Sequence, residues 1–215
     1  MIKSRLSHAG YNFSDCQVRQ FQLYSEEILK WNKKISLTGA RTEEEVTRHI
    51  LISLAFLKFL DAAPPGARIL DWGSGAGFPG IPLKIARPGL KMDMVESRAK
   101  RVSFLKNVTR KLELQETRSF QTRCEDLRAK LDPGFSYEYV VSRAAGTLLQ
   151  IAESSWDLLP EGGVWVVLKG KNKLFEIEEI KGRYLDNMEI TIVETDSLKE
   201  LEKDYLFVAM KKCFT

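Results

Sequence analysis

Histidine is scarce in this chain: among 215 residues there are two, His8 and His49. Cysteine is nearly as rare. Cys16, Cys124 and Cys213 are an odd number with no Cys-x-x-Cys and no Cys/His grouping, so neither a disulfide framework nor a zinc site is supported, and no metal centre is expected. Without an obvious acid–base pair, chemistry that needs a side chain to carry a proton is disfavoured. Long apolar runs are missing as well. The longest, Ile50 to Leu60, is broken by Ser53 and Lys58, and the opening MIKSRLSHAG has no apolar leader core, so the expectation is a cytoplasmic protein with no membrane association. No Gly-Lys-Ser/Thr follows the glycine-rich stretch, which excludes a P-loop, and Trp72 stands where a nucleophile elbow needs its first glycine.

What the chain does have is the stretch Arg68 to Pro82, RILDWGSGAGFPGIP. Arg68-Ile69-Leu70-Asp71 has the apolar and β-branched content of a short buried strand, and it runs into Gly73-Ser74-Gly75-Ala76-Gly77, too glycine-dense to continue as strand or helix. The spacing predicts a tight strand-to-helix turn with backbone exposed to a ligand, and Pro79 falls near the first turn of the following helix. Counted from Gly75 through Gly77 to Gly80, the glycines meet the dinucleotide spacing. Asp71 two residues before Gly73, with the extra glycine, resembles instead the first motif of S-adenosylmethionine-dependent methyltransferases. A purely structural glycine turn is the third reading.

Along the chain, Ser14 and Asp15 open a helix to residue 31 whose Val18, Phe21, Tyr24, Ile28 and Trp31 recur at steps of three and four. Thr42-Glu43-Glu44-Glu45 carries a capping-box pattern for a second helix, to about Leu60. The Pro64-Pro65-Gly66 linker then divides the chain into a helical extension, 1–63, and a main domain, 64–215. Strands are predicted near 68–71, 92–96, 118–121, 137–141 and 164–168, with helices over 97–112, 125–131 and 147–158 between them. That alternation predicts an α/β, doubly wound, Rossmann-like parallel sheet with right-handed crossovers. The runs 188–193 and 205–210 have only a short connection and are expected to pair antiparallel. A sizeable single core suits this length and the 44% hydrophobic content.

Ligands of such sheets bind at the carboxyl ends of the strands. Glu96 closes the second strand 21 residues after Gly75, where a carboxylate can accept from two ribose hydroxyls. Cys124 and Glu125 follow the third strand and could cover an adenine, Cys124 as a small side chain and not as a nucleophile. Arg143, in Ser142-Arg143-Ala144, can hold a phosphate or an acid in a fixed fork, or form a simple surface pair. Phe78 is either a core residue or a surface for the cofactor. Between Arg87 and Lys111 there are eight basic residues and two acidic ones, a balance that suits a polyanion such as RNA, or an ordinary solvated helix face. Arg98, Lys100 and Arg101, with Lys169 at the end of the fifth strand, are the candidate substrate contacts.

The run from Asp71 through Gly-Ser-Gly-x-Gly-Phe-Pro-Gly-Ile-Pro, then Val95-Glu96-Ser97 with Lys100-Arg101-x-x-Phe104-Leu105, then Ser142-Arg143-Ala144 and Leu168-Lys169-Gly170, resembles the bacterial 16S rRNA guanine-N7 methyltransferases, the glucose-inhibited division protein B family. Trp31-Asn32-Lys33, Leu37-Thr38 and Arg48-His49 resemble it too. The resemblance implies a class I methyltransferase fold, S-adenosyl-L-methionine as cofactor, and 16S rRNA or the small ribosomal subunit as partner, with N7 of guanine 527 in the 530 loop as target. It implies cofactor contacts at Gly73, Phe78, Cys124, Glu125 and Arg143, to which the ribose argument adds Glu96. It implies no catalytic base, because N7 carries a lone pair and no proton. Ser36 stands where that family usually has asparagine, and Ile52 where it has aspartate three residues after the histidine, which places the difference in the N-terminal part. His49 is expected to be a packed, hydrogen-bonded side chain. The oligomeric state is not fixed by the sequence; a monomer is favoured. A methyltransferase for another RNA, a protein or a small molecule, a nicotinamide oxidoreductase, and a non-catalytic RNA-binding module remain the competing readings.

Overall fold

The computed structural model describes residues 2–143, 145–184, 186–194 and 205–213; Ala144 of the Ser-Arg-Ala motif and residues 195–204 between the last two strands lie outside the described residues. The chain begins with α1 (Ile2–His8), α2 (Asp15–Asn32) and α3 (Glu43–Leu54), the last continued by a 3-10 segment, Ala55–Phe59. Ser14 and Thr42 start α2 and α3 with complete capping boxes, closed by Gln17 and Glu45.

The strands follow as β1 (Arg68–Trp72), β2 (Lys91–Glu96), β3 (Thr117–Gln121), β4 (Tyr139–Arg143), β5 (Val164–Gly170), β6 (Met188–Glu194) and β7 (Tyr205–Lys212). They form one sheet in the order β3-β2-β1-β4-β5-β7-β6. The first five are parallel, with Asp71 beside Met94 of β2 and Val141 of β4. β7 runs antiparallel to both β5 and β6, which bears out the antiparallel terminal pair. The strand order reverses between β1 and β4, so the glycine turn after β1 sits at the switch point.

Alternation along the central strands sorts the core to two faces. Ile69, Met92, Val141 and Val166 meet Phe21, Tyr24, Ile50 and Phe56 of the N-terminal helices. Leu70, Val95, Val140 and Val167 face the other layer, with Ile151 of α6 (Leu148–Ser155) and Ile177 and Ile180 of α7 (Phe175–Tyr184). Residues 2–63 therefore supply one covering layer of the sheet and share its core. The two remaining helices are α4 (Gly80–Ala86), directly after the glycine turn, and α5 (Ala99–Lys111).

Several expected boundaries differ. Residues 125–131 form no helix but two 3-10 turns, Cys124–Asp126 and Arg128–Lys130; Arg128 holds the second by donating to the carbonyls of Phe135 at 2.8 Å and Leu131 at 3.4 Å. The helix expected over 147–158 is α6 followed by a 3-10 turn, Trp156–Leu158. Helices α1 and α7 are additional; each buries only two or three side chains, too few to mark a stripe in the sequence.

Candidate functional site

The turn after β1 is built around a buried acid. Asp71 is fully buried at the end of the strand, and its Oδ2 accepts from the Gly80 amide at 3.0 Å, while the Ser74 hydroxyl donates to the Asp71 carbonyl at 2.9 Å. Its Oδ1 is buried with no hydrogen-bond partner among the described residues. Burial pushes this carboxyl up to about 7, against the pull of the Gly80 amide, Ser74 and Arg143. Gly73 has φ 72°, a left-handed conformation, and a Cβ there would stand 2.8 Å from the Ala145 Cβ of the loop after β4. Tyr24 supports the turn from behind: its buried hydroxyl donates to the Ala76 carbonyl at 2.8 Å. Pro79 lies at the cap position of α4, one residue before its first turn.

Glu96 ends β2 and is 6% exposed. Its Oε1 accepts from the Arg98 amide at 2.8 Å, and its Oε2 lies 3.5 Å from Arg101 Nη1. Arg101 also donates through Nη2 to the Ser36 carbonyl at 3.3 Å, so it spans from α5 to the N-terminal layer. Cys124 is buried beside the Gly73 backbone, and burial pushes its thiol well up, which leaves it an unreactive small side chain. Glu125, the next residue, is exposed.

Arg143 at the end of β4 lies over the Phe78 ring, 4.5 Å from its centroid, and donates to the His49 carbonyl at 3.2 Å. Burial lowers the guanidinium to about 10, so it remains charged at neutral pH. Phe78 is 4% exposed, packed among Arg143, Tyr24 and His49, with the last two rings each at 5.4 Å. The His49 ring, expected to be hydrogen-bonded, instead buries an Nδ1 with no partner among the described residues; burial, with Arg143 and Arg48 nearby, pushes its pKa down to about 4.

Beside this group a cleft of about 780 Å³ opens at the carboxyl ends of β4 and β5, reached by Arg143, Lys169, Lys171 and Lys173. Lys169 is 7% exposed and its ammonium is already engaged, 2.5 Å from the Gly146 carbonyl and 2.9 Å from Glu176 Oε2. The structure thus brings Gly73 to Cys124, Glu96 to Arg101, and Phe78 to Arg143. It sets Lys169, at the end of β5, apart from Arg98, Lys100 and Arg101, which follow the end of β2 three strands away along the same edge of the sheet.

These features coincide with what sequence comparison gives. The profile of the family described as rRNA small subunit methyltransferase G matches residues 17–203. A ribosomal RNA small subunit methyltransferase G of Bacillus cytotoxicus is 34% identical over 217 residues, covering 98% of this chain and 90% of that one. One of the same description from Alkaliphilus metalliredigens is also 34% identical, over 94% and 89% of the two chains. The chain belongs to the rRNA small subunit methyltransferase G family. It is accordingly an rRNA methyltransferase. The fold agrees with that of an rRNA methylase from Streptococcus thermophilus, with a TM-score of 0.58 at 15% identity, over 76% of this chain and 95% of that one.

In an rRNA methyltransferase the basic stretch from Arg87 to Lys111 takes on a definite meaning, and the structure divides it. Arg87 donates to the carbonyls of Leu60 and, at 3.1 Å, Ala63; Lys91 pairs with Glu116 at 3.4 Å; Lys111 pairs with the buried Glu27 at 2.6 Å. Arg98, Lys100, Lys106 and Arg110 are exposed on and beside α5. Sequence reasoning did not reach Tyr24, Thr147, Glu176 or Tyr205 as parts of the site region. Tyr24 left a signal in its place on the α2 stripe and Tyr205 in the strand expected over 205–210, while Thr147 caps α6 and Glu176 lies in the first turn of α7, where no periodic pattern marks a site.

Proposed function

We propose that this protein transfers the methyl group of S-adenosylmethionine to N7 of a guanine in small-subunit 16S rRNA, guanine 527 of the 530 loop. The observation that carries the reading is the pairing of the left-handed turn at Gly73 with the carboxylate of Glu96 at the next strand end, in a chain of this family. The residues fit the cofactor: Gly73 adds no side chain to the turn and lets its backbone pass close to Ala145, Cys124 is small and buried beside it, and Glu96 Oε2 has, among the described residues, one long contact, to Arg101. Gly73, Phe78, Glu96, Cys124, Glu125 and Arg143 hold the cofactor, with Phe78 acting from beneath Arg143. Bound there, S-adenosylmethionine supplies a methyl group on a positively charged sulfur.

The protein's own task is placement. Guanine N7 has an in-plane lone pair and loses no proton when methylated, so no side chain need act as a base. The titratable groups of the site suit this: His49 is neutral above about pH 4 and its Nδ1 is enclosed, and Arg143 stays cationic. N7 faces the deep major groove of an RNA helix, so the target guanine is presented from a loop or an opened structure. Arg98, Lys100 and Arg101 hold rRNA phosphates along α5, and the enzyme works as a cytoplasmic monomer on 16S rRNA or the small subunit.

The test is mass spectrometry of 16S rRNA fragments from cells with and without the protein, combined with reduction and aniline cleavage, which cuts the chain at N7-methylguanosine. One methyl and one cleavage site should vanish together. Loss of a methyl without loss of the cleavage site would place it on another atom.

A further inference from the structure

Two large apolar side chains stand in water at one edge of the cleft. Phe175, the first residue of α7, is 61% exposed, and Leu174 before it is 47% exposed. The three residues preceding them, Lys171, Asn172 and Lys173, line the cleft, and Lys173 Nζ lies 5.4 Å from the centre of the Phe175 ring. An apolar ring left in solvent is ordinary by itself. A ring with an ammonium group beside it, at the mouth of a cationic cleft, is a more specific arrangement.

Charge decides what can occupy it. Among the described residues, Arg143, Lys169, Lys171 and Lys173 line the cleft against one carboxylate, Glu176. Glu176 is spent inside the fold: its Oε2 accepts from the Leu148 amide at 2.9 Å and lies 2.9 Å from Lys169. Among the described residues Lys171 has one ion pair, an exposed contact to Glu194 at 3.3 Å, which carries little energy in water. The cleft therefore presents Arg143, Lys171 and Lys173 to an anion. Aromatic faces interleaved with cations are how single-stranded nucleic acid is held, the ring stacking on a base and the cations following the phosphates.

We propose that the segment Lys171 to Phe175 is a docking platform for unpaired RNA: a nucleobase next to the target guanine stacks on Phe175, and its phosphate is held by Lys171 and Lys173. This rests on the reading that rRNA is the substrate and adds to it the place where a neighbouring nucleotide is gripped. Lys169 is then a positioning residue; through Glu176 it ties the end of β5 to the first turn of α7, on which Phe175 stands.

The experiment uses the full chain and an unmodified 16S rRNA transcript, with binding read by filter retention and by the emission of a Phe175→Trp variant. Phe175→Ala and Phe175→Leu should weaken binding about tenfold to a hundredfold, the range of one lost base stack, while affinity for S-adenosylmethionine and the thermal midpoint stay unchanged. Phe175→Trp should bind as the natural protein does and lose indole emission as the transcript is added. Lys173→Glu should weaken binding and flatten its salt dependence. Transcript affinity of Phe175→Ala within twofold of the natural protein overturns the platform. So does a defect seen with small subunits and absent with the bare transcript, because the ring would then be meeting a protein. Transcript bound through Phe175, with neither transcript nor small subunits ever methylated, supports the platform and overturns the proposed reaction instead.

Discussion

Arg101 and Glu96 are joined across the edge of the glycine turn, Nη1 to Oε2 at 3.5 Å, with the carboxylate almost fully buried and the guanidinium a quarter exposed. The carboxylate proposed to grip the ribose thus already has a cation beside it, at a length that leaves its lone pairs available. The firmer bond to Glu96, from the Arg98 amide at 2.8 Å, fixes the direction of the side chain. Arg101 reaches onward to the Ser36 carbonyl, so its role is to join the turn to the N-terminal layer as much as to balance charge.

Glu96→Ala should therefore weaken S-adenosylmethionine binding strongly. Hydrogen bonds to a charged group are worth about 1.5–3 kcal/mol each, so losing one corresponds to roughly tenfold to a hundredfold in Kd, and losing both to roughly a hundredfold to ten-thousandfold. Arg101→Ala should change the same Kd by less than about fivefold, because a partly exposed pair contributes at most about 1 kcal/mol. Isothermal titration of both variants checks the contrast; equal losses would mean that Arg101 contributes as much to the ligand as Glu96 does.

Two glycines near the turn should fail in different ways. Gly73→Ala meets both a left-handed φ of 72° and a Cβ 2.8 Å from that of Ala145, a contact the loop can relieve only by moving away from the turn. Strain of this kind costs about 1–3 kcal/mol, so the variant should fold with a lowered thermal midpoint and bind the cofactor poorly. Gly80→Ala would set a methyl 2.6 Å from the buried Asp71 Oδ2 and break its one amide contact, so its main effect should be on stability. Calorimetric melting with and without S-adenosylhomocysteine separates the two.

Asp71 and His49 should pull stability in opposite directions with pH. Burial raises the Asp71 pKa from 3.8 to about 7, so between those values the folded protein holds a proton that the unfolded chain has lost, and stability falls as pH rises through the window. His49 is lowered from 6.5 to about 4; there the unfolded chain holds the extra proton, and stability rises with pH across its window. Each is on the order of a few kcal/mol and they largely cancel in the natural protein. Asp71→Asn should leave a rising profile between pH 4 and 6.5, and His49→Gln a falling one between pH 4 and 7, measured by urea midpoints at constant ionic strength. Parallel profiles in the two variants would contradict the assignment.

Much of this molecule could be read from its residues. The caps at Ser14 and Thr42, the glycine turn, and Glu96 at a strand end are local signals, carried by side-chain chemistry at fixed spacing. Helix α7 could not be read, because FEIEEIKGRY offers Ile177 and Ile180 as its regular apolar positions and buries Glu176 through a partner on β5 seven residues earlier. The division of the basic stretch was hidden for the same reason: Lys111 is held by Glu27 of α2, and Arg87 by carbonyls near residue 60, so their neighbours in space are distant in sequence. The boundary expected at residue 63 precedes the first strand, which starts at Arg68, and the apolar core runs across it.

The exposed part of α5 carries a test of rRNA contact that is independent of methyl transfer. Replacing Arg98 and Lys100 together by alanine removes two exposed cations that are outside the folding core. If each meets a phosphate, the slope of log affinity against log salt should fall by about 1.4 for single-stranded or about 1.8 for duplex RNA-like contacts, with the thermal midpoint unchanged. An unaltered slope would move the polyanion away from this helix.

Tyr24 links the N-terminal layer to the chemistry through one bond. Its ring packs on Phe78 and its hydroxyl, fully buried, donates to the Ala76 carbonyl in the middle of the glycine turn at 2.8 Å; burial raises the phenol well above its ordinary value, so the donor keeps its proton at any working pH. Tyr24→Phe keeps the ring and removes only the donor, leaving a buried carbonyl unpaired at a cost of about 1–3 kcal/mol. If α2 merely covers the sheet, that loss should appear in the urea midpoint alone. Because the carbonyl belongs to the turn itself, the expected result is a second effect, a severalfold weaker Kd for S-adenosylmethionine that Val18→Ala, which thins the same helix face away from the turn, does not reproduce.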